Sequence, residues 1–208
     1  MRMRFVALPL RLLLLTLGAA GAAQADPLPA TFQVAGVAEG DVLNIRAEPS
    51  AGSAIVGTIG PYGFGVEVLR LSDDGKWGLV GLPEGNGWVA MRYLRPDPAT
   101  DPALVPRPLT CHGTEPFWTL GLFPKGAEWT TPDTPRTDLT VSFEGVAPEG
   151  YLIRAEEGPT RVFHLIIGRG FCSDGMSDRE FGLEARLFLE SPDGNRLLQG
   201  CCTLDHRD

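Results

Sequence analysis

From residue 31 onward the chain is written in short apolar–polar alternations, with no long amphipathic helical stripe. Val66 and Val68 flank Glu67. Leu139, Val141 and Phe143 alternate with Thr140, Ser142 and Glu144, and Leu183, Ala185, Leu187 and Leu189 alternate with Glu184, Arg186 and Glu190. A period of two puts one set of side chains on a buried face and the other in water, the pattern of antiparallel strands. Segments of this kind recur at 31–37, 42–46, 55–59, 65–69, 76–80 and 88–90. They resume at 117–123, 139–144, 151–155, 161–167, 183–190 and 196–204. Asp73-Asp74-Gly75, Glu84-Gly85-Asn86-Gly87 and Ser191-Pro192-Asp193-Gly194-Asn195 supply turns between them. The chain is therefore expected to be all-β.

Between the two groups, residues 97–108 hold Pro98, Pro102, Pro106 and Pro108. Proline lacks the N–H that a sheet needs, and such a run favours an extended, semi-rigid spacer. Two domains follow: 31–96, a small barrel of five or six strands, and 109–206, an antiparallel sheet curled into a barrel or half-barrel.

The first 25 residues change where this architecture is expected to work. Arg2 and Arg4 precede an apolar run around Leu12 to Leu15, and Ala23-Gln24-Ala25 follows. That is the layout of a secretory signal peptide, cut after Ala25 and leaving no membrane anchor. The expected location is the periplasm or the exterior. Setting aside Arg2, Arg4 and Arg11 leaves 15 basic against 26 acidic side chains. A surface that acidic argues against nucleic acid, whose phosphates need Lys and Arg, and against anionic lipid.

An exported chain with four cysteines is expected to form two disulfides. Cys201 and Cys202 are adjacent on a strand, so their side chains point to opposite faces and are badly placed to join each other. Of the two remaining connectivities, Cys172–Cys201 with Cys111–Cys202 is preferred, and Cys111–Cys201 with Cys172–Cys202 stays open.

Two stretches resemble known families. Leu43-Asn44-Ile45-Arg46-Ala47-Glu48-Pro49-Ser50, then Ile55-Val56-Gly57-Thr58-Ile59, Trp77, Gly87-Trp88-Val89 and Tyr93-Leu94 resemble, in order, the motifs of bacterial SH3-like domains. Gly63-Phe64-Gly65 departs from the charged turn usual in that family. The resemblance implies a targeting module that recognises peptidoglycan or an envelope protein, not a catalyst. The second half is similar to an uncharacterised family of bacterial envelope proteins. Its marks are Gly113-Thr114-Glu115-Pro116-Phe117-Trp118, Cys172-Ser173-Asp174-Gly175-Met176-Ser177 and Leu198-Gln199-Gly200-Cys201-Cys202. Phe181-Gly182 replaces the Tyr-Pro of the family. Members with Ala for the last cysteine tend to lack the cysteine before the first motif, which favours Cys111–Cys202. The resemblance implies no activity.

Candidate binding residues follow from these motifs. In the first domain they are Trp77, Trp88 and Tyr93, whose rings form either core and rim or a binding shelf. In the second they are Glu115, Trp118, Asp174, Met176 and Asp178, placed on two loops that the disulfides hold to one strand. Glu115, Asp174 and Asp178, with Arg179, either line one polar pocket or, the preferred reading, act locally, with Asp174 and Asp178 capping turns and Glu115 anchoring the loop before Pro116. Phe117, Trp118, Trp129 and Phe171 are read mainly as core. His164, inside Val162-Phe163-His164-Leu165-Ile166-Ile167, is expected as a hydrogen-bonded core or barrel-lining side chain.

Asp174-Gly175 and Asp178 lack the regular oxygen ligands of a calcium loop, and the sequence has no Cys-x-x-Cys, phosphate loop or Gly-x-Ser-x-Gly. No metal, cofactor or catalytic residue is assigned. The expectation is a non-enzymatic envelope binding protein. The alternative is an envelope enzyme or enzyme inhibitor that uses the Glu115 and Asp174 carboxylates.

Overall fold

The computed structural model describes residues 27–98, 101 and 103–207. The expected leader at 1–25 lies outside them. Among the described residues the fold is all-β, with a single 3-10 turn at Met91–Tyr93.

The first unit contains β1 (Ala30–Val34), β2 (Leu43–Arg46), β3 (Ile55–Ile59), β4 (Val66–Val68), β5 (Trp77–Gly81), β6 (Asn86–Ala90) and β7 (Leu94–Pro96). They form two small sheets, ordered β4-β1-β7 and β3-β2-β6-β5. Leu43, Ile45, Ile59, Val66, Val68, Val80 and Val89 fill the space between them. Residues 94–96 form a strand that the pattern did not show, paired with β1.

The second unit is a closed barrel of eight strands: β8 (Leu109–Thr114), β9 (Phe117–Phe123), β10 (Gly126–Thr131), β11 (Thr134–Ala147), β12 (Gly150–Glu157), β13 (Arg161–Ser173), β14 (Glu180–Glu190) and β15 (Arg196–Thr203). Each strand pairs antiparallel with its sequence neighbours, and β15 closes on β8 through Cys201↔His112, Cys202↔Cys111 and Thr203↔Thr110. Eight strands leave an interior that side chains can fill. Here Trp118 stacks on Trp129 at 5.8 Å between ring centres, and Trp129 tilts against Phe163 at 5.1 Å. Leu109, Leu120, Leu122, Ile153, Leu165 and Leu187 complete the packing. Each such fully buried side chain stabilises the fold by about 1.5–3 kcal/mol.

The alternation along β14 is kept, with Phe181, Leu183, Ala185, Leu187 and Leu189 buried and Glu184, Arg186 and Phe188 outward. Two expectations change. His164 sits between inward Phe163 and Leu165, so it faces out, with Nε2 2.8 Å from Glu190 Oε1. Phe117 and Phe171 are 52% and 67% exposed and lie outside the core.

Strand alternation also sorts the disulfides. Cys202 points into the barrel core and bonds Cys111, and Cys201 points outward and bonds Cys172 across β14. Beneath the outer bond, Phe181 is buried with Cys172 and Cys201.

The end of the proline-rich stretch is not a free spacer. Val105 is buried in the barrel core. Arg107 donates to Phe123 O at 3.1 Å and Val105 O at 3.0 Å, and pairs with Glu144. The apolar Val105 side chain gains burial that an exposed linker would deny it.

The two units touch through side chains far apart in sequence. Glu180 on β14 pairs with Arg70 at 2.9 Å. Its backbone N–H donates to Asn86 Oδ1 at 2.6 Å, while Asn86 Nδ2 donates to the Glu180 carbonyl at 3.1 Å. Arg169 donates to the carbonyls of Pro27 and Pro29, each at 3.0 Å. The tail after β15 runs along the first unit, with His206 N–H donating to Gly65 O at 3.2 Å and Arg207 to Gly81 O.

Candidate functional site

Two concavities collect Glu115 with Asp174 and Trp77 with Tyr93, four of the eight expected residues. The larger, about 500 Å³, lies on the outside of the barrel. Strand β8 contributes His112 and Thr114 and the turn after it Glu115, while the end of β13 contributes Phe171 and Ser173 and the turn after it Asp174. Glu184, Arg186, Leu197 and Gln199 complete it.

Two links hold its rims together. The Cys172–Cys201 bond ties the end of β13 to β15, and Thr114 Oγ1 donates to the Asp174 carbonyl at 2.9 Å. Asp174 then organises its own turn. Its Oδ1 accepts from the N–H groups of Met176 and Ser177 at 3.0 Å each and from the Ser177 hydroxyl at 3.2 Å. Partial desolvation pushes this carboxyl up, but those donors and nearby His112 outweigh it, and it titrates below the usual carboxylate range. Burial holds His112 below the usual imidazole value, against the pull of Asp174, and its ring packs edge-on to Phe181 at 5.0 Å.

Of the remaining motif residues, Gly113 and Gly200 line this cleft, and Trp118 packs against both. Trp118 is 3% exposed and donates its indole N–H to Gln199 O at 3.3 Å, taking the place of a ladder bond where β8 and β15 part. Close approach demands glycine on both sides of the indole. A Cβ on Gly113 would lie 2.1 Å from Trp118 Nε1, and one on Gly200 would lie 2.0 Å from the His112 carbonyl oxygen. Met176 is 67% exposed and Asp178 is exposed, and neither lines the cleft.

Arg179, grouped with them by sequence, turns toward the first unit. It lies over the Phe181 ring at 4.6 Å and reaches Thr203 Oγ1 at 3.4 Å. Among the described residues, no group of three or more His, Cys, Asp or Glu side chains is arranged to hold a metal ion.

The second concavity, about 350 Å³, lies on the first unit. Trp77 and Tyr93 line it with Asn44, Arg46, Asp41 and Arg92. Arg46 is fixed by a 2.6 Å bond to Ser53 O, which orders the loop after β2. Arg92 lies over the Tyr93 ring at 4.7 Å. Trp88 is not part of this groove. Its ring carries Arg70 at 5.1 Å, next to the contact with the barrel.

The sequence reading missed Glu67. It is 1% exposed, accepts from Thr203 Oγ1 at 2.6 Å and from Leu204 N–H at 3.0 Å, and burial pushes its carboxyl up to about 7. The alternation with Val66 and Val68 shows that Glu67 leaves the core of its own unit, but not what covers it.

No curated protein and no solved structure matches the chain. One family model does. It runs from Asp41 to Arg95, which takes in Trp77 and Tyr93 of the groove, and leaves out β1, although β1 pairs with both β4 and β7. Residues 41–95 match the bacterial SH3 domain.

Proposed function

We propose that this protein is a non-enzymatic binding protein of the cell envelope. Its SH3-like unit docks on peptidoglycan or an envelope protein, and its barrel presents a second, stapled surface to a ligand. The groove carries this reading: Trp77 and Tyr93 line it beside Asn44, Asp41 and Arg92, inside the span that matches the bacterial SH3 domain. The two disulfides are compatible with an extracytoplasmic setting.

The test is retention of the full mature chain on purified peptidoglycan sacculi, with Trp77→Ala and Arg92→Ala as variants. Retention that falls in both, with unfolding midpoints kept, supports the cell-wall docking. Retention no higher than a denatured control rejects it.

The barrel's motifs resemble envelope proteins of no assigned activity, and the acid–base alternative rests on Glu115 and Asp174 sharing one cleft. It is the weaker reading, because Asp174 Oδ1 already accepts three hydrogen bonds within its own turn. A general base must reach the proton that it removes. Glu115→Gln in a folded protein separates the two. Loss of a hydrolytic or inhibitory activity would restore the enzyme reading.

A further inference from the structure

Glu67 is central in β4, where Val66 and Val68 turn into the core of the SH3-like unit. Its side chain therefore leaves the opposite face, which in an isolated unit would meet water. In the whole chain that face is covered by residues more than 130 positions away. Thr203 Oγ1 donates to Oε2 and Leu204 N–H donates to Oε1. We propose that Glu67 and the barrel's C-terminal tail form a proton-sensitive clasp, which holds the two units together most tightly in acid and loosens as pH rises.

The donors around the carboxyl favour its ionised form, and burial, which favours the protonated one, works against them. Thr203 Oγ1 itself accepts from Asp205 N–H at 3.1 Å and from Arg179 at 3.4 Å, so its own proton is directed at Glu67. Arg179 is the nearby cation, yet it is shared: it lies 3.9 Å from Asp205 Oδ2 and over the Phe181 ring. Asp205 is also paired with Arg207. His206, the tail's other titratable group, packs against Phe64 at 5.8 Å and turns Nδ1 to Leu204 O at 2.8 Å. On the far side, Arg70 is occupied by Glu180. From β1, the residue opposite Glu67 is uncharged Thr31.

Burial therefore outweighs the hydrogen bonds and Arg179, and Glu67 holds its proton up to about pH 7 when docked, against 4.5 for a free glutamate. A carboxyl raised by docking favours the docked form where it stays protonated. The docking advantage is full below about pH 4.5, declines through the interval to 7, and is absent above it.

Amide hydrogen exchange on the full chain tests this. The Leu204 and His206 N–H groups are the reporters, because both donate across the contact, and Leu187 inside β14 is the internal reference. From pH 5 to pH 8, protection at the two reporters, corrected for intrinsic exchange, is expected to fall on the order of a hundredfold, while Leu187 stays level. Glu67→Gln keeps the shape and removes the titration, so its profile should be flat. Flat protection in the natural protein, or the same slope in Glu67→Gln, overturns the clasp. If Glu67→Gln does not fold, Asp205→Asn serves. Removing that neighbouring charge should move the midpoint to lower pH, and an unmoved midpoint also overturns the proposal.

Discussion

Glu67 and Asp174 are two carboxylates with similar hydrogen-bond donors and opposite behaviour. Each accepts a backbone N–H and a hydroxyl, yet Glu67 is pushed up to about 7 and Asp174 is held below its ordinary range. The difference is water. Glu67 has lost its hydration entirely at the contact between units, and two hydrogen bonds do not replace it. Asp174 keeps part of its hydration at the cleft rim. The surrounding construction differs in the same sense. The rim is fixed covalently through Cys172–Cys201, whereas the contact around Glu67 has only polar bonds and packing. One region is stapled covalently, and the other is held by reversible contacts.

The largest expected effect comes from removing the staples. Replacing Cys111 and Cys202 by Ala frees a closure of 91 residues, and replacing Cys172 and Cys201 frees one of 29. Chain entropy puts the losses at about 4.6 and 3.6 kcal/mol, read from urea unfolding midpoints. Equal stability in the Cys172/Cys201 variant would mean that the rim is held by Thr114 and the Asp174 turn alone.

Next is Thr203→Val, which takes one donor from a buried carboxyl and should cost about 1–3 kcal/mol. Because the raised group loses a lowering partner, the variant's stability should also decline more steeply between pH 5 and 8. Asp174→Ala removes a turn cap and should cost about 1 kcal/mol. Its sign with pH is reversed, since a depressed carboxyl adds stability above its free value of 3.8 and loses it as pH falls further. The smallest effect is Arg70→Ala. Its side chain is 52% exposed, so the pair with Glu180 is worth about 0.5 kcal/mol and should fade in high salt.

What the sequence discloses follows from how local each feature is. The period-two pattern of 183–190 places β14 and its buried face, and Asp174-Gly175 marks a turn that the structure contains. Two barrel strands went unread. In β8 the inward side chains are Leu109, Cys111 and Gly113, and in β10 they are Ala127 and Trp129. Both strands do alternate, but glycine, cysteine and alanine carry too little apolar weight to register. His164 fails for the opposite reason. In an unbroken apolar run, polarity no longer reports which way a residue faces, and only the register against Phe188 decides. Glu67 was legible as outward-facing, but its burial depends on a tail 136 residues downstream, which no local pattern encodes. Trp118 was visible as a motif, while its role of replacing a ladder bond needs β15 in place.

The bond between Cys111 and Cys202 joins the first barrel strand to the last, so the eight strands lie within one covalent ring apart from the strand ends. A protease that cuts any single hairpin between those cysteines opens the loop without releasing a fragment. The nicked barrel keeps its neighbours in register, and the two pieces separate only after reduction. The tail that covers Glu67 leaves directly from Cys202, so its point of departure is retained even when the barrel has been cut.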